Sequence, residues 1–149
     1  MNEPTLPLAL AQRFAALVPH MRELGLRLLR VEREFAEATL PLRPEFLGDR
    51  ERGLVHTGVV TSLIDSVCGF AVHARIGGLV TIATLDLRVD YLRPVRPPQA
   101  LICRAECYRL TARIAFARAA VWQEDPGAPV ATSLATFMHA TRSMHEETP

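Results

Sequence analysis

Apolar and polar positions along the chain change period twice, and the changes mark out its elements. From Pro7 to Val18 the apolar residues Leu8, Leu10, Ala11, Phe14, Ala15 and Val18 recur at helical spacing, and Pro19 closes the element. This predicts an amphipathic N-terminal helix that lies over the rest of the fold as a lid. Leu26 to Leu40 sets Leu29, Val31, Arg33 and Phe35 against Arg30, Glu32 and Glu34, which predicts a first strand, and Pro41, Pro44 and Gly48 mark the loop after it. From about Gly58 to Ile76 the apolar run is too long and too continuous for a strand. Gly77-Gly78 supplies a C-terminal stop, so the segment reads as a helix, apolar nearly all round and therefore buried.

Beyond that helix the period becomes two. Val80 to Tyr91 alternates Leu85, Leu87, Val89 and Tyr91 against Thr84, Asp86, Arg88 and Asp90, and ends at Leu92-Arg93-Pro94. Ala100–Leu110, Ile114–Gln123 and Val130–Thr141 read as three further strands, joined by connections short enough for antiparallel hairpins. Ala115, Ala117 and Ala119 fall on one face, where small side chains would let a helix approach closely. The expected architecture is α+β: one long buried helix wrapped by a mostly antiparallel sheet, with an N-terminal helix. No linker or repeat interrupts residues 1–149, which read as a single domain.

Composition narrows the picture. With 149 residues, 49% of them hydrophobic and 22% charged, the chain is long enough for one core and short for two. A net charge of +1 gives no overall attraction to nucleic acid or an anionic membrane. All seventeen basic residues are arginine, whose planar fork suits phosphate groups. Glu3 and Arg13 break the pattern of a secretory signal, so a cytoplasmic location is expected. Three cysteines without metal-ligand spacing predict no disulfide and no metal site, only small core residues in a reducing compartment.

One residue conflicts with its surroundings. Asp65 is a lone carboxylate in the apolar run Val59–Val72, where an unpaired charge costs several kcal/mol, roughly, and no arginine stands three or four residues away. Such a group is a candidate general base or nucleophile; its ordinary alternative is a hydrogen bond to nearby hydroxyls or a pairing across an interface. Nine residues upstream, His56-Thr57-Gly58 opens the same helix, where free backbone N–H groups and the helix dipole suit a developing oxyanion. His56 itself would either brace the loop or touch substrate. Nine helical residues turn through about 900° and rise about 13.5 Å, so His56 and Asp65 of one chain cannot close on one substrate. A two-fold axis that runs two such helices antiparallel would bring Asp65 of one copy to the helix start of the other.

The combination Gly53-Leu54-Val55-His56-Thr57-Gly58, Asp65, Thr84-Leu85-Asp86-Leu87 and Tyr91-Leu92-Arg93-Pro94 resembles the hotdog-fold acyl-CoA thioesterases of the phenylacetate-pathway (PaaI) type, over about Glu45 to His139. The resemblance implies hydrolysis of an acyl-CoA to a carboxylic acid and free coenzyme A. Asp65 would activate water or attack the thioester, the backbone N–H after His56 would polarise the carbonyl, and Thr84 would help to hold the attacking water. It also implies dimers or dimers of dimers with shared sites, and no cofactor beyond the coenzyme A of the substrate itself. A non-catalytic acyl-CoA binding or sensing module is the alternative.

Several points are specific to this chain. Thr57 stands where the family has the first glycine of His-Gly-Gly, and a β-branched residue resists positive φ. Arg50 stands where the family often has an amide six residues before the histidine. Strict alternation would turn Thr84 away from the site with Asp86 and Arg88, so a bulge or strand end is required to bring it in. Arg93, Arg96 and Arg113 lie near strand ends and are candidates for the coenzyme A phosphates.

Overall fold

The computed structural model describes residues 5–143. Two short helices, α1 (Leu8–Leu17) and α2 (Pro19–Leu24), precede the strands β1 (Arg27–Val31) and β2 (Phe35–Leu40). A small hairpin, β3 (Leu47–Asp49) and β4 (Leu54–Val55), feeds the long helix α3 (Thr57–Ile76). After it come β5 (Val80–Tyr91), β6 (Leu101–Leu110), β7 (Ile114–Trp122) and β8 (Ala131–Ser143). The main sheet has the order β1-β2-β6-β7-β8-β5, and every neighbouring pair is antiparallel. It wraps α3, the arrangement that the resemblance implies, and leaves β5 as an edge strand beside the helix.

Small residues make that wrapping possible. Ala36, Ala105, Ala119 and Ser133 lie side by side across β2, β6, β7 and β8, and the next row is Cys107, Ala117 and Ala135. All are buried. Their short side chains bring the helix axis close to the sheet, and α3 fills the space with Leu63, Ile64, Val67, Phe70 and Val72, none more than 1% exposed. Each such side chain contributes about 1.5–3 kcal/mol by leaving water. By length and hydropathy α3 would pass for a membrane span, but 67% of that stretch is buried inside the fold.

Both ends of α3 are capped. His56 precedes it in extended conformation, and Gly77 ends it at φ 84°, a conformation that costs glycine nothing. Arg75 of the last turn pairs with Glu34 of the β1–β2 turn and complements the negative helix end.

One local expectation changes. The single strand read over Leu26–Leu40 is a hairpin: Glu32 and Phe35 exchange backbone hydrogen bonds of 2.9 and 3.3 Å around the charged turn at Arg33 and Glu34. Continued alternation through a polar turn had concealed the reversal. Pro19 closes α1 as expected, with Val18 as its extended C-cap, and it also opens a second helix, where its missing N–H breaks no intrahelical bond.

The alanine rows make a direct prediction. Ala117→Leu should lower stability by about 1–3 kcal/mol through overpacking beneath α3, seen as a lower urea midpoint. An unchanged midpoint would mean that the helix does not rest on this row.

Candidate active site

Asp65 lies on the side of α3 that looks toward the edge strand, and it is half-buried rather than sealed in the core. Its partner is local: the Thr84 hydroxyl donates to Asp65 Oδ1 at 2.9 Å. That contact depends on an irregularity in β5. Thr84 pairs with Phe137 and Asp86 with Thr136, so Leu85 is an extra residue with no opposite number on β8. Upstream of it Ile82 and Thr84 share the face of buried Phe137; downstream, Leu87 shares the face of buried Ala135. The bulge that strict alternation required is present, and Leu85 is turned outward at 55% exposure.

Asp65 and Thr84 line a cavity of about 390 Å³ with Ser66, Gly69, Phe70 and His73 of α3. Val80 and Ile82 of β5 form a second wall, and Phe14, Val18 and Met21 cover it from the N-terminal helices, which fits the lid expected there. His73 and Ser66 escaped the sequence reading because neither stands out until the helix face is known. The available signal was spacing, since His73 follows Asp65 by eight residues and Gly69 by four.

At the other end of the helix the expected donors are sorted by the structure. Gly58 N–H donates to His56 Nδ1 at 3.0 Å, so the imidazole caps its own helix and the Gly58 donor is occupied. An accepting Nδ1 places the ring proton of neutral His56 on Nε2. Gly58 must lack a side chain here, since a β-carbon would stand 2.9 Å from His56 Nδ1. His56 also receives structural support: its N–H donates to Phe46 O at 2.8 Å, and Gly48 packs against its backbone. Thr57 N–H has no acceptor among the described residues. Thr57 is the first residue of α3, and no non-glycine residue in the described chain has positive φ. Its β-branch is therefore no obstacle at this position.

A hydrogen-bond chain stiffens that turn. Thr61 Oγ1 donates to Thr57 O at 3.2 Å and is joined by the Tyr91 hydroxyl from the end of β5. Arg93 follows, in a hollow of about 370 Å³ that also contains Thr57 and Val60. Arg96 is engaged elsewhere, donating from Nη1 to Arg52 O at 2.9 Å and so tying two loops together. Arg113 lies beside Thr81, Ile82 and His139, near the opposite end of β5. Within one chain the three arginines are not brought together. Asp49 ends β3 half-buried and accepts from Arg52 N–H at 3.0 Å, and Arg50 is exposed on the turn that follows.

Within one chain Asp65 and Thr57 are likewise separated. They are eight residues apart on an unbroken helix, about 12 Å along its axis. The cysteines take no part: Cys68, Cys103 and Cys107 are free and buried, and burial pushes the Cys68 thiol up to about 12. No three His, Cys, Asp or Glu side chains cluster as metal ligands among the described residues.

His73 makes the stability of the fold depend on pH. It is 3% exposed, its Nδ1 accepts from Val80 N–H at 3.4 Å, and burial lowers its pKa from 6.5 to about 4 against a smaller raising effect from the Gly78 backbone. The unfolded chain takes up a proton below pH 6.5 that the folded chain refuses until about pH 4. The contribution is thus complete above the first value and lost on descent to the second, on the order of 3 kcal/mol. Urea midpoints across that interval should fall in the wild type and fall less in His73→Gln, whose side chain does not titrate. Equal slopes would remove His73 from the account.

Among known proteins, the family model described as the thioesterase superfamily matches residues 52–130. The chain is 30% identical over 140 residues to the medium/long-chain acyl-CoA thioesterase YigI of Escherichia coli (strain K12), covering 85% of this chain and 89% of that one. A Pseudomonas aeruginosa protein of known crystal structure superposes with a TM-score of 0.80 at 34% identity, covering 89% of this chain and 98% of its own. A variant of the phenylacetic acid degradation protein PaaI from Thermus thermophilus gives 0.72 at 30% identity, covering 82% and 99%.

Proposed function

The chain belongs to the thioesterase superfamily as a PaaI-type hotdog thioesterase, and from that premise we propose that it hydrolyses acyl-CoA thioesters with Asp65 as general base. One observation carries the assignment: the only carboxylate among the described residues lining the 390 Å³ apolar cavity is also hydrogen-bonded to a hydroxyl at its edge. Thr84 donates to one oxygen of Asp65 and leaves the other to accept from water. The water oxygen attacks the thioester carbonyl carbon as its proton passes to Asp65. The tetrahedral oxyanion is held by a helix-start N–H; collapse breaks the C–S bond, and the proton on Asp65 goes to the departing thiolate. Direct attack by Asp65 through a mixed anhydride would use the same carboxylate.

The helix-start donor comes from a second copy in this reading. Thr57 N–H has no acceptor among the described residues but lies about 12 Å along the helix from Asp65 of its own chain. The edge strand β5 offers an open row of backbone groups, with Leu85 and Tyr91 exposed along it. Antiparallel pairing of two such strands about a two-fold axis would set the Asp65–Thr84 end of one copy against the Thr57 end of the other. The same operation would bring Arg113 of one copy toward Arg93 of the second, giving a phosphate-binding pair that neither chain has alone.

Release of free thiol from acyl-CoA substrates tests the chemistry. Asp65→Asn should lower kcat by roughly 10²–10⁴-fold; near-normal turnover in that variant would sink the mechanism. Light scattering coupled to the same assay tests the shared site, with activity expected only in species of dimer mass or larger. A fully active monomer would end the composite-site reading.

A further inference from the structure

Resting on the thioesterase reading, we propose that the cavity beside Asp65 takes a straight, medium-length acyl chain, and that Phe14 of α1 is its end stop. The channel's length follows from two independent elements. Asp65 and His73 are eight residues apart on α3, a rise of about 12 Å, and both line the cavity. Across from them Thr84 and Val80 are four residues apart on β5, about 13 Å, and line it too. The carboxylate and hydroxyl therefore mark one end, and His73 with Val80 the other.

At that far end three rings meet. Phe14 stands edge-on to Phe70 at 6.1 Å and to His73 at 6.0 Å, and Phe70 and His73 are 6.2 Å apart. The imidazole is neutral near pH 7, and its Nδ1 is engaged by Val80 N–H, so the floor presents aromatic surface rather than charge. Midway, Gly69 leaves room between the two walls: a β-carbon there would meet Ile82 Cδ1 at 3.2 Å, tighter than ordinary contact. C–C bonds of about 1.5 Å at tetrahedral angles advance roughly 1.25 Å per methylene. A chain with its carbonyl at Asp65 would then reach the aromatic floor after about eight to ten carbons.

Phe14 is the wall most open to change. Ala11 and Ala15 are the buried residues of α1, Leu8 and Leu10 pack against the core beside them, and Gln12 fastens the helix through a hydrogen bond to Leu28 O at 3.1 Å. Phe14 shares the face of Ala11 and Ala15 but is only half-buried, and its ring lies at the cavity. Truncating it should open the channel end without releasing α1.

The test is kcat/KM for straight acyl-CoAs from butanoyl to hexadecanoyl, in the wild type, Phe14→Ala and Phe14→Trp. The wild type should peak near octanoyl to decanoyl. Phe14→Ala should move the optimum to longer chains, raising the tetradecanoyl-to-octanoyl ratio at least tenfold, since each extra methylene buried is worth about fourfold. Phe14→Trp should move it to shorter ones. Circular dichroism would confirm that α1 is retained in both. Profiles of the same shape in all three proteins would overturn the end stop while leaving the thioesterase reading in place. No cleavage at any length would overturn that reading, and the channel with it.

Discussion

A twenty-residue helix can sit inside a six-stranded sheet only if the sheet yields room for it, and here the room comes from missing side chains. Alanine, serine and cysteine fill two neighbouring rows on the inner face of β2, β6, β7 and β8, so the large side chains of α3 seat there, while Leu40, Leu101, Val121 and Phe137 of the same strands fill the space beyond those rows. Leu63, Ile64, Val67 and Phe70 fill the volume, and the sheet provides a shallow cradle. Everything else in the structure is positioned from that seat, because the helix carries the carboxylate, the capped N-terminus and one wall of the cavity.

Seating the helix also decides which of its residues remain reachable. With three sides against the sheet, the stripe through Thr61, Ser62, Asp65 and Ser66 is left half-buried beside the edge strand. A carboxylate there escapes the full desolvation that a core position would impose, and Thr84 satisfies part of its hydrogen-bonding capacity. Farther along the same face the stripe becomes apolar through Gly69 and Phe70, where the N-terminal helix closes over it. One helix face thus grades from polar to aromatic over two turns.

Much of this was legible in the chain itself. The buried helix, its glycine stop and the four strands after it follow from period and punctuation, and Asp65 stands out because apolar neighbours make a lone acid conspicuous. What stayed hidden depends on atoms rather than patterns. The capping bond between His56 and Gly58 arises within three residues and has no periodic signature. The β1–β2 reversal falls among charged residues that continue the alternation around it. Pro19 closes α1 as its position suggests, but that it also begins α2 has no signal of its own, since proline both follows helices and begins them. The separation of Arg93 from Arg113 needed the strand order, which no local pattern encodes.

Leu85, the extra residue in β5, divides that strand into two phases. Even-numbered side chains face inward before it and odd-numbered ones after it, although the backbone ladder with β8 runs on to both ends. One strand therefore addresses two neighbours under separate rules: the first half furnishes the cavity, and the second packs beside the helix start and ends at the Tyr91–Thr61 contact. A phase slip of this kind is a discrete degree of freedom. Moved by one position, it would exchange which residue faces the carboxylate while the strand's partner, direction and composition stayed the same. Chains with the same fold and nearly the same residues could thus differ at the reacting group through the placement of a single unpaired residue.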